Sequence, residues 1–194
     1  MSYRKDEIER VKRVADMTCS AHAFLRDKYY FKSTLLDLVV VSISTWIIAL
    51  VFVEPKINII LTPWHIEPII WVGLLSILSF FFSLLQFIIN WKEKYNLHKA
   101  AVDIFAELKN DARTLLLTVP SEIDEEKFNY FCQKAVDASK KSPPIPERIF
   151  LKMKKRHLIK IAISKHLDMH PNSSIAIFKF KMFIEDNFRV DPGQ

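Results

Sequence analysis

Two apolar stretches decide the fold: residues 35–53, LLDLVVVSISTWIIALVFV, and residues 69–89, IIWVGLLSILSFFFSLLQFII. Each has about the 20 residues that an α-helix needs to cross the hydrocarbon core of a bilayer. Neither stretch alternates strictly between apolar and polar residues, so each is predicted to be a transmembrane helix. The chain between them contains three prolines and cannot form one continuous helix. The sequence therefore predicts a two-span membrane hairpin.

The polar residues lie mainly outside these two stretches, which divides the chain into six parts. The predicted parts are a cytoplasmic amphipathic helix (1–33), transmembrane helix 1 (34–53), an external connector (54–68), transmembrane helix 2 (69–90), a cytoplasmic helix that continues it (91–118) and C-terminal cytoplasmic helices (119–194). Eight Lys or Arg residues precede the first span, whereas the connector carries only Lys56. The positive-inside rule therefore predicts that both termini are cytoplasmic. Trp64, Trp71 and Trp91 lie near span ends, where an aromatic belt is expected.

The two helices that flank the spans carry apolar faces that are predicted to pair beneath the membrane. The N-terminal helix has a seam with alternating spacings of three and four residues: Ile8, Val11, Ala15, Thr18, His22, Leu25 and Tyr29. The helix after the second span has a predicted face of Leu97, Ala101, Ile104, Leu108, Ala112 and Leu115, with Tyr95, His98, Val102 and Phe105 beside it. No proline or glycine separates the first of these helices from its span, and none separates the second from its own span. We therefore expect one long helical hairpin, part in lipid and part in water.

The C-terminal part is predicted to be helical. Residues 124–141 and 146–167 form two predicted helices, which the stiff connector SPPIP at residues 142–146 separates. Residues 175–188 are ambiguous, because Ile177, Phe180, Ile184 and Phe188 are spaced as on a helix whereas FKFKM at 178–182 alternates like a strand. We favour a helix there. The predicted fold class is thus an all-α membrane protein, assembled as a homo-oligomer.

The composition argues against an enzyme. Gly73 and Gly193 are the two glycines of the chain, so the glycine-rich loops that cradle nucleotides and the nucleophile elbow are absent from the sequence. Among the six histidines, only His166 and His170 have the spacing of metal ligands, and they lie at a predicted helix end. We therefore predict no enzymatic activity, no cofactor and no metal site.

The second span carries a row of polar residues with spacings of three and four. This polar stripe consists of Ser76, Ser79, Ser83, Gln86 and Asn90. At 100° per residue its members fall within an arc of about 80°. Polar side chains in a membrane normally face protein or water, so the stripe either packs against another helix or lines an aqueous pore. A pore requires several copies, since two helices cannot enclose a channel.

Two further features are candidates for function. Asp37 is an ionisable residue inside the first span, which is costly in lipid unless it reaches Lys32 or the lipid headgroups. The helix 146–167 holds seven basic residues against Glu147 alone, and its candidates for binding an anion or a partner are Arg148, Lys152, Lys154, Lys155, Arg156 and Lys160. The targets considered are an anionic ligand, nucleic acid and the anionic inner leaflet, although a solvated surface has the same pattern. Direct nucleic-acid binding is not expected.

The chain resembles a known family in this arrangement. An amphipathic basic helix leads into a two-span hairpin, a helix with Trp91, His98, Ala101, Phe105 and Leu108 leaves the membrane, and the SPPIP connector follows. This pattern is similar to the SLATT superfamily, the two-transmembrane effector domains associated with nucleotide-producing and nucleotide-sensing bacterial conflict systems. The resemblance implies a bacterial inner-membrane effector that forms a pore when a partner system detects phage. It implies a sensor or nucleotide-producing partner protein and a nucleotide second messenger as possible partners, and it carries no defined site residues.

The leading functional prediction is therefore an oligomeric, pore-forming effector of antiviral defence that arrests or kills the host cell. Its partners would be the lipid bilayer, further copies of itself and a sensor. One alternative is a membrane anchor or adaptor that scaffolds a soluble partner, in which case the polar stripe packs. A weaker alternative is a housekeeping ion channel.

Overall fold

A computed structural model describes residues 2–52, 62, 67–117 and 124–188. Within these ranges the chain forms helices and no strand. The helices are α1 (Ser2–Phe52), α2 (Pro68–Ile89), α3 (Trp91–Leu117), α4 (Glu125–Lys141), α5 (Glu147–Met169) and α6 (Ile175–Phe188). The chain divides into two compact units, Met1–Pro143 and Pro144–Gln194. The expectations for most of the connector, for Trp64 and for the end of the predicted helix at residue 118 lie outside the described residues.

The first unit is built on α1, a single helix of 51 residues. At 1.5 Å per residue it is about 76 Å long. Because it contains no proline or glycine, nothing interrupts the backbone hydrogen bonds between the polar N-terminal part and the apolar part. Helix α2 packs along α1, and so does α3. The predicted pairing of the helices in one long hairpin is confirmed, with an interruption at Asn90, and its placement in lipid and water stays a prediction.

Two helical segments are long and apolar enough to cross a membrane. Eighteen-residue windows in α1 and in the segment 68–117 have mean hydropathies of 2.4 and 2.3. Only 11% and 6% of these windows are buried within the chain. A core helix of a water-soluble protein would have most of its apolar surface covered. Here Phe80, Phe87 and Ile88 expose 65%, 85% and 73% of their surface, which leaves that surface to lipid or to other protein chains.

The polar half of the hairpin has its own core, to which α4 contributes a third helix. The buried or partly buried residues of this core are Ile8, Val11, Ala15 and Cys19 of α1, Ile104, Phe105, Leu108, Ala112, Leu115 and Leu116 of α3, and Phe128, Phe131, Cys132, Ala135 and Ala138 of α4. Asp16 accepts a hydrogen bond from Lys109 at 2.8 Å, which ties α1 to α3 at the edge of this core.

The buried face of α3 differs from the predicted face at two positions, where His98 and Phe105 are buried in place of Leu97 and Ile104. His98, Ala101, Phe105, Leu108 and Ala112 are buried, whereas Leu97 is 49% exposed. Periodicity alone favoured Leu97 over His98 because leucine is the more apolar residue. In the structure the His98 ring has a hydrogen-bond partner, His22, which offsets the cost of burying a polar ring.

Asn90 separates α2 from α3, so the expectation of an uninterrupted helix is wrong at this residue. Its backbone has φ 46° and ψ 55°, the left-handed conformation. The Asn90 side-chain carbonyl accepts a hydrogen bond from the Glu93 backbone N–H, and the Asn90 amide donates to the Glu93 carboxylate at 2.7 Å. Asparagine tolerates the left-handed region better than most residues because its short polar side chain bonds locally. Asn90 therefore ends one helix and caps the next.

The second unit is a pair of helices, α5 and α6, joined by a turn at residues 170–174. The His166 ring of α5 stacks on Phe178 of α6, with ring centroids 3.9 Å apart and planes at 4°. The helix favoured for residues 175–188 is confirmed. In this helix Phe178 and Met182 are half-buried, whereas the lysines at 179 and 181 are exposed.

Candidate functional site

The polar stripe lies at the edge of the contact between α1 and α2. On α2, Leu75 is buried and Ser79 and Phe82 are half-buried, so this side faces α1. Ser76 and Ser83 are exposed. At 100° per residue they lie about 40° to 60° around the helix from Ser79. One edge of the stripe thus touches α1, and no described residue of the chain covers the other edge.

The exposed serines donate their hydroxyl hydrogens to backbone carbonyls of their own helix. Ser76 Oγ donates to the Val72 carbonyl at 2.7 Å, and Ser83 Oγ donates to the Ser79 carbonyl at 3.0 Å. Such bonds lower the cost of placing a hydroxyl in an apolar environment. They leave the lone pairs of each Oγ free to accept from water or from a neighbouring chain. The two serines can therefore face lipid, protein or water without an unpaired donor.

The end of the polar stripe nearest α3 bonds to α1. Gln86 Nε2 donates to Asp37 Oδ1 at 2.5 Å. The sequence suggested Lys32 or headgroups as the partner of Asp37, but the Lys32 ammonium lies over the Trp91 ring, 5.3 Å from its centroid. The structure thereby joins two features that sequence reasoning treated separately. Gln86 acts in helix packing, and Asn90 acts as a cap.

A second candidate site, which sequence reasoning did not assemble, is a histidine pair between α1 and α3. The Nδ1 atoms of His22 and His98 lie 2.9 Å apart, and the two residues are 1% and 6% exposed. The His22 ring stacks on Phe105 at 15°, and Tyr29 stacks on the His98 ring at 8°. The signal in the sequence was a histidine in the apolar seam of α1. Its partner is 76 residues away, and periodicity carries no information about pairing at that distance.

The geometry of the histidine pair requires one Nδ1 to carry a hydrogen and the other to accept it. Protonation of both Nδ1 atoms would place two N–H groups head to head. Burial lowers the pKa of His22 to about 4, with a smaller contribution from the charge of His98, and burial also lowers the pKa of His98. His22 Nε2 is buried without a hydrogen-bond partner in the described part of the chain. The pair is thus held neutral, and acid opposes its geometry.

Among the described residues, the histidine pair has no third side chain with which it could bind a metal ion. These residues contain no group of three His, Cys, Asp or Glu side chains placed to hold an ion. Cys19, one turn from His22, directs its Sγ to the Val102 carbonyl at 3.7 Å. Burial raises the pKa of the Cys19 thiol, which keeps it protonated and a poor ligand.

The basic candidates of the second unit fall into two groups. Lys152, Lys155 and Arg156 line a cleft of about 520 Å³ between α5 and α6. The structure adds Lys179, together with three apolar lining residues: Ile159, Met182 and Phe183. The other candidates, Arg148, Lys154 and Lys160, are exposed on α5 outside the cleft lining. We call the first set the cationic cleft.

Comparisons of this chain with protein-family models, with curated proteins and with solved structures found no match.

Proposed function

We propose that the protein is a bacterial inner-membrane effector that assembles from several copies and permeabilises the membrane when it is triggered. In this proposal both termini are cytoplasmic and the chain is a member of the SLATT superfamily, which it resembles. A partner protein that senses phage, or a nucleotide that such a partner makes, supplies the trigger. The outcome would be arrest or death of an infected cell.

The observation that carries the proposal is the uncovered edge of the polar stripe. Ser76 and Ser83 lie in the middle of an apolar helix, and within the described chain nothing covers them. Polar groups in membrane helices normally face protein or water. An assembly that turns this edge of each copy towards a common axis would give it water on one side. The exposed apolar side chains of α2 would then face lipid or a neighbouring copy.

The buried contacts among α1, α3 and α4 support the assembly of several copies, which the proposal requires. They form a three-helix core that continues the hairpin outside its apolar part. Lys134 of α4 bonds both Asp111 and Glu107 of α3, at 2.6 Å and 2.7 Å, which fixes α4 on the hairpin and raises the pKa of Lys134. A rigid extension of this kind can hold neighbouring copies in register. The trigger must bind the open arrangement better than the closed one, since a ligand with equal affinity for both shifts nothing.

Single-channel recording tests the proposal on the variant with Ser76→Leu and Ser83→Leu. We expect conductance to fall at least about tenfold, because two apolar side chains per copy would dewet a narrow passage. Ser42→Leu is the matched control, since Ser42 is an exposed serine of the other span. Particle mass, measured by mass photometry in detergent, reports whether assembly is intact. Unchanged conductance and ion selectivity in a normally assembled double variant would reject the pore wall.

A second candidate function is a membrane adaptor that holds a soluble partner. The observation in its favour is a groove of about 530 Å³ among α1, α3 and α4. Its apolar floor includes Val11, Phe105 and Leu108, and Val14 and Val136 at its edge are 42% and 46% exposed. The membrane potential of cells that express abundant protein separates the two functions. A pore-forming assembly collapses the potential, whereas an adaptor leaves it intact.

A further inference from the structure

The second unit combines the cationic cleft, which lies between α5 and α6, with an exposed apolar face on α6. The cleft is lined by Lys152, Lys155 and Arg156 of α5 and by Lys179 of α6, and none of the described residues that line it is acidic. In the described residues no carboxylate lies within ion-pair distance of Lys155, Arg156 or Lys179. Their charges are therefore available to an external anion.

The apolar face of α6 points away from α5. Phe178 and Met182 are half-buried on the side towards α5. On the opposite side, within an arc of about 80°, lies a row of large apolar residues that we call the outer row. Its members are Ile177, Phe180, Ile184 and Phe188, with exposures of 72%, 66%, 43% and 71%. Phe183, 55% exposed, lies between the outer row and the cleft.

We propose that the second unit binds the surface of an anionic membrane, with a lipid phosphate in the cationic cleft and the outer row in the acyl region of the same leaflet. Lysine and arginine side chains are the usual protein groups that recognise phosphate. An amphipathic helix with lysines beside phenylalanine and isoleucine is typical of segments that lie in the membrane interface. Clusters of basic residues near a membrane recognise anionic lipid headgroups.

Charge and apolarity together favour this occupant over two others. A second copy of the unit would bring the same cations towards the cleft, and like charges repel. A nucleic acid would match the charge but offers no apolar layer for four large exposed side chains. An anionic leaflet supplies phosphate and hydrocarbon at adjacent depths, as the cleft and the outer row require.

The length of the chain allows this contact. The end of α4 lines the same groove as Ala15 of α1, which is 20 residues before the apolar stretch that begins at Leu35. That distance is about 30 Å along α1, and α5 with its 23 residues is about 34 Å long. The connector and α5 are therefore long enough for α6 to reach the surface of the membrane that the hairpin spans. The proposal rests on the membrane insertion contained in the proposed function, and not on pore formation.

Depth-dependent quenching of a fluorophore tests the proposal on the full chain in lipid nanodiscs. The two native cysteines, Cys19 and Cys132, are replaced by alanine, and Ile177→Cys carries the fluorophore. Nanodiscs of phosphatidylcholine, with or without phosphatidylglycerol, contain a lipid with a nitroxide on its acyl chain. We expect strong quenching with phosphatidylglycerol and weak quenching without it. A label at Ser164→Cys, on α5, should remain unquenched in both.

Charge reversals distinguish the cleft from diffuse attraction. The variant with Lys155→Glu, Arg156→Glu and Lys179→Glu should reduce quenching to the level seen without phosphatidylglycerol. The control, with Lys154→Glu, Lys160→Glu and Lys165→Glu, changes the net charge equally outside the cleft and should retain the quenching. Circular dichroism verifies that both variants keep their helices.

Three results would overturn the proposal. The first is the absence of quenching in discs with phosphatidylglycerol, and the second is an equal loss of quenching in both triple variants. The third is saturable binding of ATP or pyrophosphate that requires the cleft residues, without quenching, which would assign the cleft to a soluble phosphate ligand. Ion flux measured on the same preparations keeps the two proposals apart, because quenching without flux rejects the pore alone and flux without quenching rejects the lipid contact alone.

Discussion

At the scale of single residues, the polar groups that matter most are paired across helices. Gln86 bonds Asp37, and His22 bonds His98. The partners are 49 and 76 positions apart in the chain. Sequence analysis singled out Gln86 and Asp37 as polar residues within the spans. It placed His22 in the seam of α1 and His98 beside the predicted face of α3. It did not identify the pairs, because a period within one helix contains no information about the helix opposite.

The Asp37–Gln86 pair predicts a measurable coupling. We expect Gln86→Leu to destabilise the hairpin because it leaves a carboxylate unpaired beside apolar helices. Asp37→Leu should be milder, and the double variant should resemble it. A double-mutant cycle of unfolding in mixed micelles should give a coupling of about 1 kcal/mol. Additive effects of the two substitutions would mean that the pair contributes nothing to stability.

The histidine pair predicts that acid destabilises the fold. The His22 pKa is about 4 in the folded chain against 6.5 for an ordinary histidine. Between these values the unfolded state binds more protons, so the free energy of unfolding falls as the pH drops from 6.5 to 4. The slope contributed by one such group is at most about 1.4 kcal/mol per pH unit. Thermal unfolding followed by circular dichroism across this range measures it.

Two variants test the assignment of that slope to His22. His22→Phe removes the titrating ring and retains a stacking partner for Phe105, so its melting temperature should depend less on pH. His170→Phe is the control, since His170 is exposed and should leave the pH dependence unchanged. If His22→Phe and the unmodified chain lost stability in parallel, the acid sensitivity would originate elsewhere.

At the scale of elements, periodicity and breakers predicted every described helix. The long apolar runs and the absence of glycine and proline determine α1, and Pro68 suits the first turn of α2, where its missing N–H is not needed. The break at Asn90 was not predicted, because asparagine is an ordinary residue by propensity and its left-handed conformation depends on local bonds to Glu93. A single residue thus divides a segment that composition alone describes as one helix.

Substitution of Asn90 tests whether that break is intrinsic. Asn90→Ala must either hold alanine at φ 46° or straighten the segment, so we expect it to cost about 1–2 kcal/mol in the free energy of unfolding. Asn90→Gly should keep the left-handed backbone conformation, which glycine adopts without steric strain. It should cost only a few tenths of a kcal/mol. Unfolding in mixed micelles measures both. A more stable alanine variant would show that the continuous helix predicted from the sequence is the preferred state.

At the scale of the whole molecule, the apolar surface of one chain exceeds what the chain itself covers. Both apolar segments are mostly exposed. On α2, exposed phenylalanines lie within a few residues of the exposed serines Ser76 and Ser83. Amino-acid composition and hydropathy suffice to predict this hairpin. They do not determine how many copies the proposed assembly would contain, because that number depends on the angles at which neighbouring hairpins would pack.

In the proposed pore, the exposed edge of the polar stripe faces water when several copies of the protein assemble in the membrane. Reaction with a charged, membrane-impermeant thiol reagent tests it most directly, on the full chain without its native cysteines and with Ser83→Cys. We expect the reagent to modify residue 83 and to block the current. Ile77→Cys, about 120° around the helix from Ser83 and 70% exposed in the single chain, should face lipid and remain unmodified. Equal protection of both positions in conducting membranes would contradict the claim.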